Sequence, residues 1–128
     1  MPSKTPLRVA IVGTARRSDY LYGPIVAALP DDVELVSVWG RSEDSARRLG
    51  ASLGVPHYID LDRLMRETAP QIGIVSVNYN ANGQVGLMAV EHGLHVLLET
   101  PIAHKLSEAD AIIAAAAARN LKIEIAEQ

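Results

Sequence analysis

Residues 7–23, LRVAIVGTARRSDYLYG, set the architecture of the chain. Leu7-Arg8-Val9-Ala10-Ile11-Val12 is a nearly continuous apolar run rich in β-branched residues, the pattern of a strand covered on both faces. It stops at Gly13, small residues recur at Ala15 and Ser18, and a stretch of helical period follows. Strand, tight turn and helix open a βαβ unit, which implies a parallel sheet. The same alternation continues outward. Residues 7–12, 33–39, 57–59, 72–77, 95–98 and 121–125 read as six strands. Residues 23–29, 43–53, 61–68, 84–92 and 108–119 carry apolar residues at helical spacing and read as five helices. The expected class is α/β, a doubly wound sheet in three layers.

Helix ends are marked by local chemistry. Ser42 before Glu43-Asp44, and Ser107 before Glu108-Ala109-Asp110, read as N-caps with carboxylates in the positive first turn. Asp60 and Asp62 mark a helix start, while Gly54 followed by Pro56, and Gly93, mark helix stops. The alanine run 114–118 suits a helix packed closely on a sheet and carries no functional signal.

Bulk properties narrow the class. A chain of 128 residues fits one domain that buries about two-thirds of its unfolded surface, so 1–128 reads as a single domain. The absence of Cys excludes disulfide frameworks, thiolate nucleophiles and Cys-ligated zinc. A net charge of −3 argues against a nucleic-acid binder. The longest apolar run, 111–118, is too short for a membrane span, and Met1-Pro2-Ser3-Lys4-Thr5-Pro6 has no signal-peptide core. The expectation is a cytoplasmic protein with small-molecule or protein partners.

The turn after the first strand places Gly13, Ala15 and Ser18 at the spacing of the dinucleotide fingerprint G-x-G-x-x-G. The first glycine permits the tight turn, the second lets backbone approach a pyrophosphate, and the third lets helix pack on strand. Ala15 adds a methyl group at the second position, which degrades the match, and Arg16 and Arg17 compensate as direct phosphate donors. The alternative is a packing turn flanked by solvated arginines. The second strand ends in Trp39-Gly40-Arg41-Ser42. An NAD site commonly has a carboxylate there for the ribose hydroxyls, whereas NADP sites place an Arg near the 2′-phosphate. Gly40 stands in the carboxylate's place, and Arg41 with Ser42 favours NADP over NAD. A solvated Arg beside an N-cap Ser is the competing reading.

Three segments, "LRVAIVGTA", "VELVSVWGRSEDSARRLGASLGVPHYIDLDRLM" and "IGIVSVNYNANGQVGLMAVEHGLHVLLETPIAHKLSEADAII", resemble the N-terminal nucleotide-binding domain of the Gfo/Idh/MocA family. That family contains glucose-fructose oxidoreductase and inositol dehydrogenase. The resemblance implies a Rossmann sheet in the order 3-2-1-4-5-6 and NAD(P)-dependent chemistry at a carbinol carbon of a sugar, polyol or related small molecule. It also implies a cofactor site. Gly13, Thr14, Ala15, Arg16 and Arg17 would hold the pyrophosphate, Arg41 and Ser42 the adenosine ribose, and Asn78, Tyr79, Glu99, Thr100 and Pro101 the nicotinamide end.

Departures from the family pattern bear on catalysis. Thr100 replaces the lysine of the family's Glu-Lys-Pro motif, and its hydroxyl does not titrate near neutrality, so it cannot serve as the same proton relay. "VNYNAN" replaces the usual Thr-Pro-Asn and later His, placing Asn78, Tyr79 and Asn82 at the carboxyl edge of the sheet. The chain stops at Gln128, where the family's substrate and oligomerisation domain would begin, and the expectation is that this domain is absent. Catalytic residues are therefore unassigned, with Tyr79, Thr100 and His104 as candidates. His57, His92, His95 and His104 show no metal-ligand spacing, so no metal is expected. Trp39 reads as core packing within reach of an adenine.

The leading function is the nicotinamide dinucleotide-binding domain of such an oxidoreductase. The alternative is a non-catalytic, nucleotide-responsive interaction module that self-associates through the face a second domain would cover. A domain for coenzyme A or S-adenosylmethionine is a third reading. A small-molecule substrate is expected only with a second domain, and no nucleic-acid or membrane partner is expected.

Overall fold

The computed structural model describes residues 5–126; the leader reading falls partly on Met1 to Lys4, outside the described residues. Six strands form one all-parallel sheet: β1 (Leu7–Val12), β2 (Val33–Trp39), β3 (His57–Tyr58), β4 (Ile72–Val75), β5 (His95–Glu99) and β6 (Ile123–Ala126). Their spatial order is 3-2-1-4-5-6, as the resemblance implied. The linking helices are α1 (Gly23–Ala27), α2 (Glu43–Leu53), α3 (Leu61–Thr68), α4 (Asn82–Glu91) and α5 (Leu106–Ala118).

The two-residue period of β1 divides the core. Val9 and Ile11 meet Tyr22 and Val26 at the first helical region and Leu49 of α2 on one face. Ala10 and Val12 belong to the opposite core, with Leu64 of α3, Val90 of α4 and Ile112 of α5. Because β1 has strands on both sides and helices on both faces, an almost purely apolar sequence is what its position requires. The helices do not cover both faces equally. A groove of about 560 Å³ remains on the α1 side, lined largely by apolar residues of β1, α1, β4, β5 and β6, and Leu7, Ile25 and Leu29 are exposed at its margin.

Ser42 caps α2, accepting from Ser45 N at 3.2 Å, and Asp60 caps α3, accepting from Asp62 N at 2.9 Å. Gly54 closes α2 at φ +72°. Ser107 is not a cap: α5 starts one residue earlier, and the amides of Glu108 and Ala109 are taken by the Lys105 carbonyl. The first helical region also starts earlier than expected, with a π-helical segment at Ser18–Tyr22 running into α1. Gly23 N reaches back to Ser18 O, and Pro24 has no N–H to continue a regular ladder. β4 ends at Val75 rather than residue 77, level with the end of β1, because beyond that register Ser76 turns to receive the first turn. A 3₁₀ turn at Tyr79–Ala81 precedes α4, which begins at Asn82 rather than Gln84.

Among the described residues no helix is long and apolar enough to cross a membrane, and no group of three or more His, Asp or Glu side chains could hold a metal ion.

Gly13 has φ +127°, and a Cβ there would lie 2.1 Å from Ser76 O. Gly13→Ala combines left-handed strain with a backbone clash and is expected to lower unfolding stability by about 3 kcal/mol or more. A urea midpoint unchanged from the parent chain would contradict this packing.

Candidate cofactor site

The turn after β1 is stitched to its neighbours by backbone. Gly13 N donates to Trp39 O at 2.8 Å, Ala15 N to Ser76 O at 3.1 Å, and Ser76 N to Val12 O at 3.0 Å. Ser18 Oγ folds back onto Gly13 O at 2.9 Å, so the small residue in the third fingerprint position closes the turn as well as permitting close packing. The ends of β1, β2 and β4 therefore form one rigid rim.

Three clefts border this turn: one, of about 500 Å³, lies on the α2 side between Thr14, Ala15, Arg16 and Tyr20 and Ser45, Arg48 and Leu49, and two lie along the carboxyl ends of the strands. Of these two, one, of about 250 Å³, is lined by Gly13, Thr14, Ala15, Trp39, Arg41, Val77, Asn78 and Ala81. The other, of about 400 Å³, is lined by Ala15, Arg16, Arg17, Tyr20, Ser76, Val77, Tyr79, Asn82, Glu99 and Thr100. Ala15 and Val77 border both, so the clefts lie side by side and together trace a trough from Arg41 to Thr100 across the carboxyl ends of the strands. In a doubly wound sheet this edge, at the switch between the strands flanking β1, is where ligands bind.

Most of the expected site residues line these clefts or lie at their edges. Arg41 is exposed at one end, with Trp39 buried beside it and donating from Nε1 to Ile59 O at 3.1 Å. Ser42 is engaged in capping α2. Asn78 lies in the Arg41 cleft, whereas Tyr79 and Thr100 lie in the other. The Tyr79 and His104 rings are 5.7 Å apart, bringing two catalytic candidates together. The Thr100-Pro101 peptide bond is cis, and the Pro101 carbonyl accepts from Asn82 Nδ2.

Arg17 crosses to the far side of the trough. Its Nη1 donates to Glu99 Oε2 at 3.2 Å, and Tyr22 Oη donates to Glu99 Oε1. Glu99 raises the Arg17 pKa further above its ordinary value. Burial, reinforced by the hydrogen bond to Glu99, pushes Tyr22 up to about 12. The network joins the first helical region to the end of β5. It places Arg17 beside Glu99, while Arg16 is exposed next to Ala15. Tyr20, Tyr22, Ser76 and Val77 were not among the residues expected from sequence. A helical reading begun at Arg16 instead of Gly23 would have put Tyr20 one turn from Arg17.

The chain matches, over residues 7–126, the model of the Gfo/Idh/MocA oxidoreductase family described as an NAD-binding Rossmann fold. It belongs to that family as a nicotinamide dinucleotide-binding oxidoreductase domain. An uncharacterized oxidoreductase of Schizosaccharomyces pombe is 27% identical over 94% of this chain and 33% of its own length. The chain spans about a third of the length of the curated relatives it matches. Among solved structures, the WlbA dehydrogenase from Bordetella pertussis in complex with NADH and UDP-GlcNAcA superposes with a TM-score of 0.87. It is 17% identical, covering 97% of this chain and 38% of that one. KijD10, a 3-ketoreductase from Actinomadura kijaniata in complex with NADP and TDP-benzene, superposes at 0.82 with 24% identity, covering 94% of this chain and 37% of that one. At these identities the solved structures establish the shared fold.

The Tyr22 environment has a consequence for stability. A tyrosine pushed up to about 12 holds its proton more tightly folded than unfolded. Its contribution is complete below the ordinary value of 10.0 and is lost as pH rises through about 12. Urea midpoints measured across that window should fall less steeply for Tyr22→Phe than for the parent chain. Parallel curves would contradict the assignment.

Proposed function

We propose that this chain is the cofactor half of an NADP-preferring oxidoreductase that acts on a sugar, polyol or related small molecule in a cytoplasmic setting. The observation carrying the reading is the pair of adjoining clefts on the carboxyl edge, with Arg41 at one end and the Glu99-Thr100 turn at the other. The trough suits a ligand with two ends and a charged middle. Gly13, Thr14 and Ala15 offer close backbone approach at its centre, and Arg16 supplies positive charge there. Arg41 pairs with the 2′-phosphate, and Trp39 gives the adenosine end an apolar wall. Asn78 borders the adenosine side of the junction.

The bound nicotinamide cofactor supplies hydride-transfer chemistry. The chain's own residues bind it and orient its reactive end. Tyr79 and Thr100 border that end, and the Arg17–Glu99–Tyr22 network fixes the end of the strand that carries Thr100. Thr100 does not provide an ammonium group for the acid-base step, which leaves Tyr79 and His104, whose rings lie 5.7 Å apart, as the candidates among the described residues. The curated relatives are about three times longer than this chain, and in a protein of that length the substrate contacts would come from the further residues.

Calorimetric titration with NADPH and NADH should give micromolar binding of NADPH and weaker binding of NADH. Arg41→Ala should weaken NADPH by about tenfold and leave NADH nearly unchanged. Failure of both cofactors to bind at millimolar concentration would refute the binding reading; an unchanged preference in Arg41→Ala would refute the 2′-phosphate assignment.

A further inference from the structure

Asn82 is 1% exposed, yet it carries one of the most polar side chains available to a helix start. Three carbonyl oxygens converge on its Nδ2: Glu99 O and Pro101 O at 2.8 Å each, and Ile102 O at 3.3 Å. A primary amide nitrogen donates two hydrogens and accepts none, so three acceptors around one atom fix which way the amide faces. Oδ1 is turned away, buried and without a hydrogen-bond partner. Such an uncompensated oxygen is costly, so a purely space-filling residue would be the more stable choice unless the nitrogen's contacts matter.

Those contacts lie where β5 gives out. Glu99 is its last residue, and the carbonyls of Pro101 and Ile102 lie beyond the strand ladder. Asn82, the first residue of α4, ties this turn to the start of the helix, 17 to 20 positions earlier in sequence. The Glu99 side chain is held independently by Arg17 and Tyr22. The turn bearing Thr100 is thus gripped through its backbone by Asn82 and through a side chain by the first helical region.

We propose that Asn82 is a positioning residue for the nicotinamide end of the trough, acting by holding the Glu99–Ile102 backbone rather than by providing the binding contact itself. This rests on the dinucleotide-binding reading above. A primary amide at position 82 would then set how well the trough discriminates an intact dinucleotide from its adenosine half.

The test compares NADPH with 2′-phospho-ADP-ribose, which retains the adenosine and pyrophosphate groups but lacks nicotinamide. Asn82→Asp keeps the size and sets an oxygen against three carbonyl oxygens. Its ratio of NADPH to fragment affinity should fall by about tenfold relative to the parent chain. An unchanged ratio, even with both affinities reduced, would overturn the proposal, since general loosening of the fold does not select one end of the ligand. A second measurement needs no variant. The Asn82 side-chain amide resonances of the parent chain should move with NADPH and stay in place with the fragment. Equal movement with both, or none with either despite binding, would also overturn it. If the parent chain binds neither ligand, the dinucleotide reading itself fails and the inference falls with it.

Discussion

Among the glycines, Gly13 meets the tightest constraint: a Cβ there would strike the Ser76 carbonyl, so no side chain at position 13 fits. It fixes the first turn against the end of β4, and the amide of Ala15 bonds to the same carbonyl. β1 is central, and the chain passes first to β2 on one side and later to β4 on the other. The crossing of those two directions leaves the crevice at the carboxyl edge, and the Gly13 turn forms its floor. From that floor one cleft runs toward Arg41 and the other toward Thr100.

The periodic parts of this arrangement were legible in sequence because they depend on local burial. β1 announces its two covered faces, and Ser42, Asp60 and Gly54 announce helix ends through backbone groups a few residues away. Ser107 misled for a related reason: a serine followed by acids resembles a cap, but the strand-to-helix geometry sets the start at Leu106. The helix expected from Gly23 likewise begins earlier, because the preceding π-helical segment already carries the chain into α1.

Long-range polar contacts were the illegible part. Arg17 and Glu99 are 82 residues apart, and nothing in either local pattern pairs them. The sequence supported Arg17 as a phosphate donor, while folding brings it to the carboxylate at the opposite end of the trough. Asn78 illustrates the same point on a smaller scale, since the turn after β4 directs it into the Arg41 cleft and sends Tyr79 to the other. Family membership and the sheet order could be read from motifs; the distribution of side chains along the carboxyl edge required the turns.

The most direct test of the carboxyl-edge site is a map of backbone amide shifts in the 1H–15N spectrum during NADPH titration. The expected changes concentrate at Gly13 to Arg17, Arg41, Ser76 to Asn82, and Glu99 to Ile102, with the opposite end of the sheet quiet. Saturable changes confined instead to the apolar groove around Leu7, Ile25 and Ile123 would contradict it.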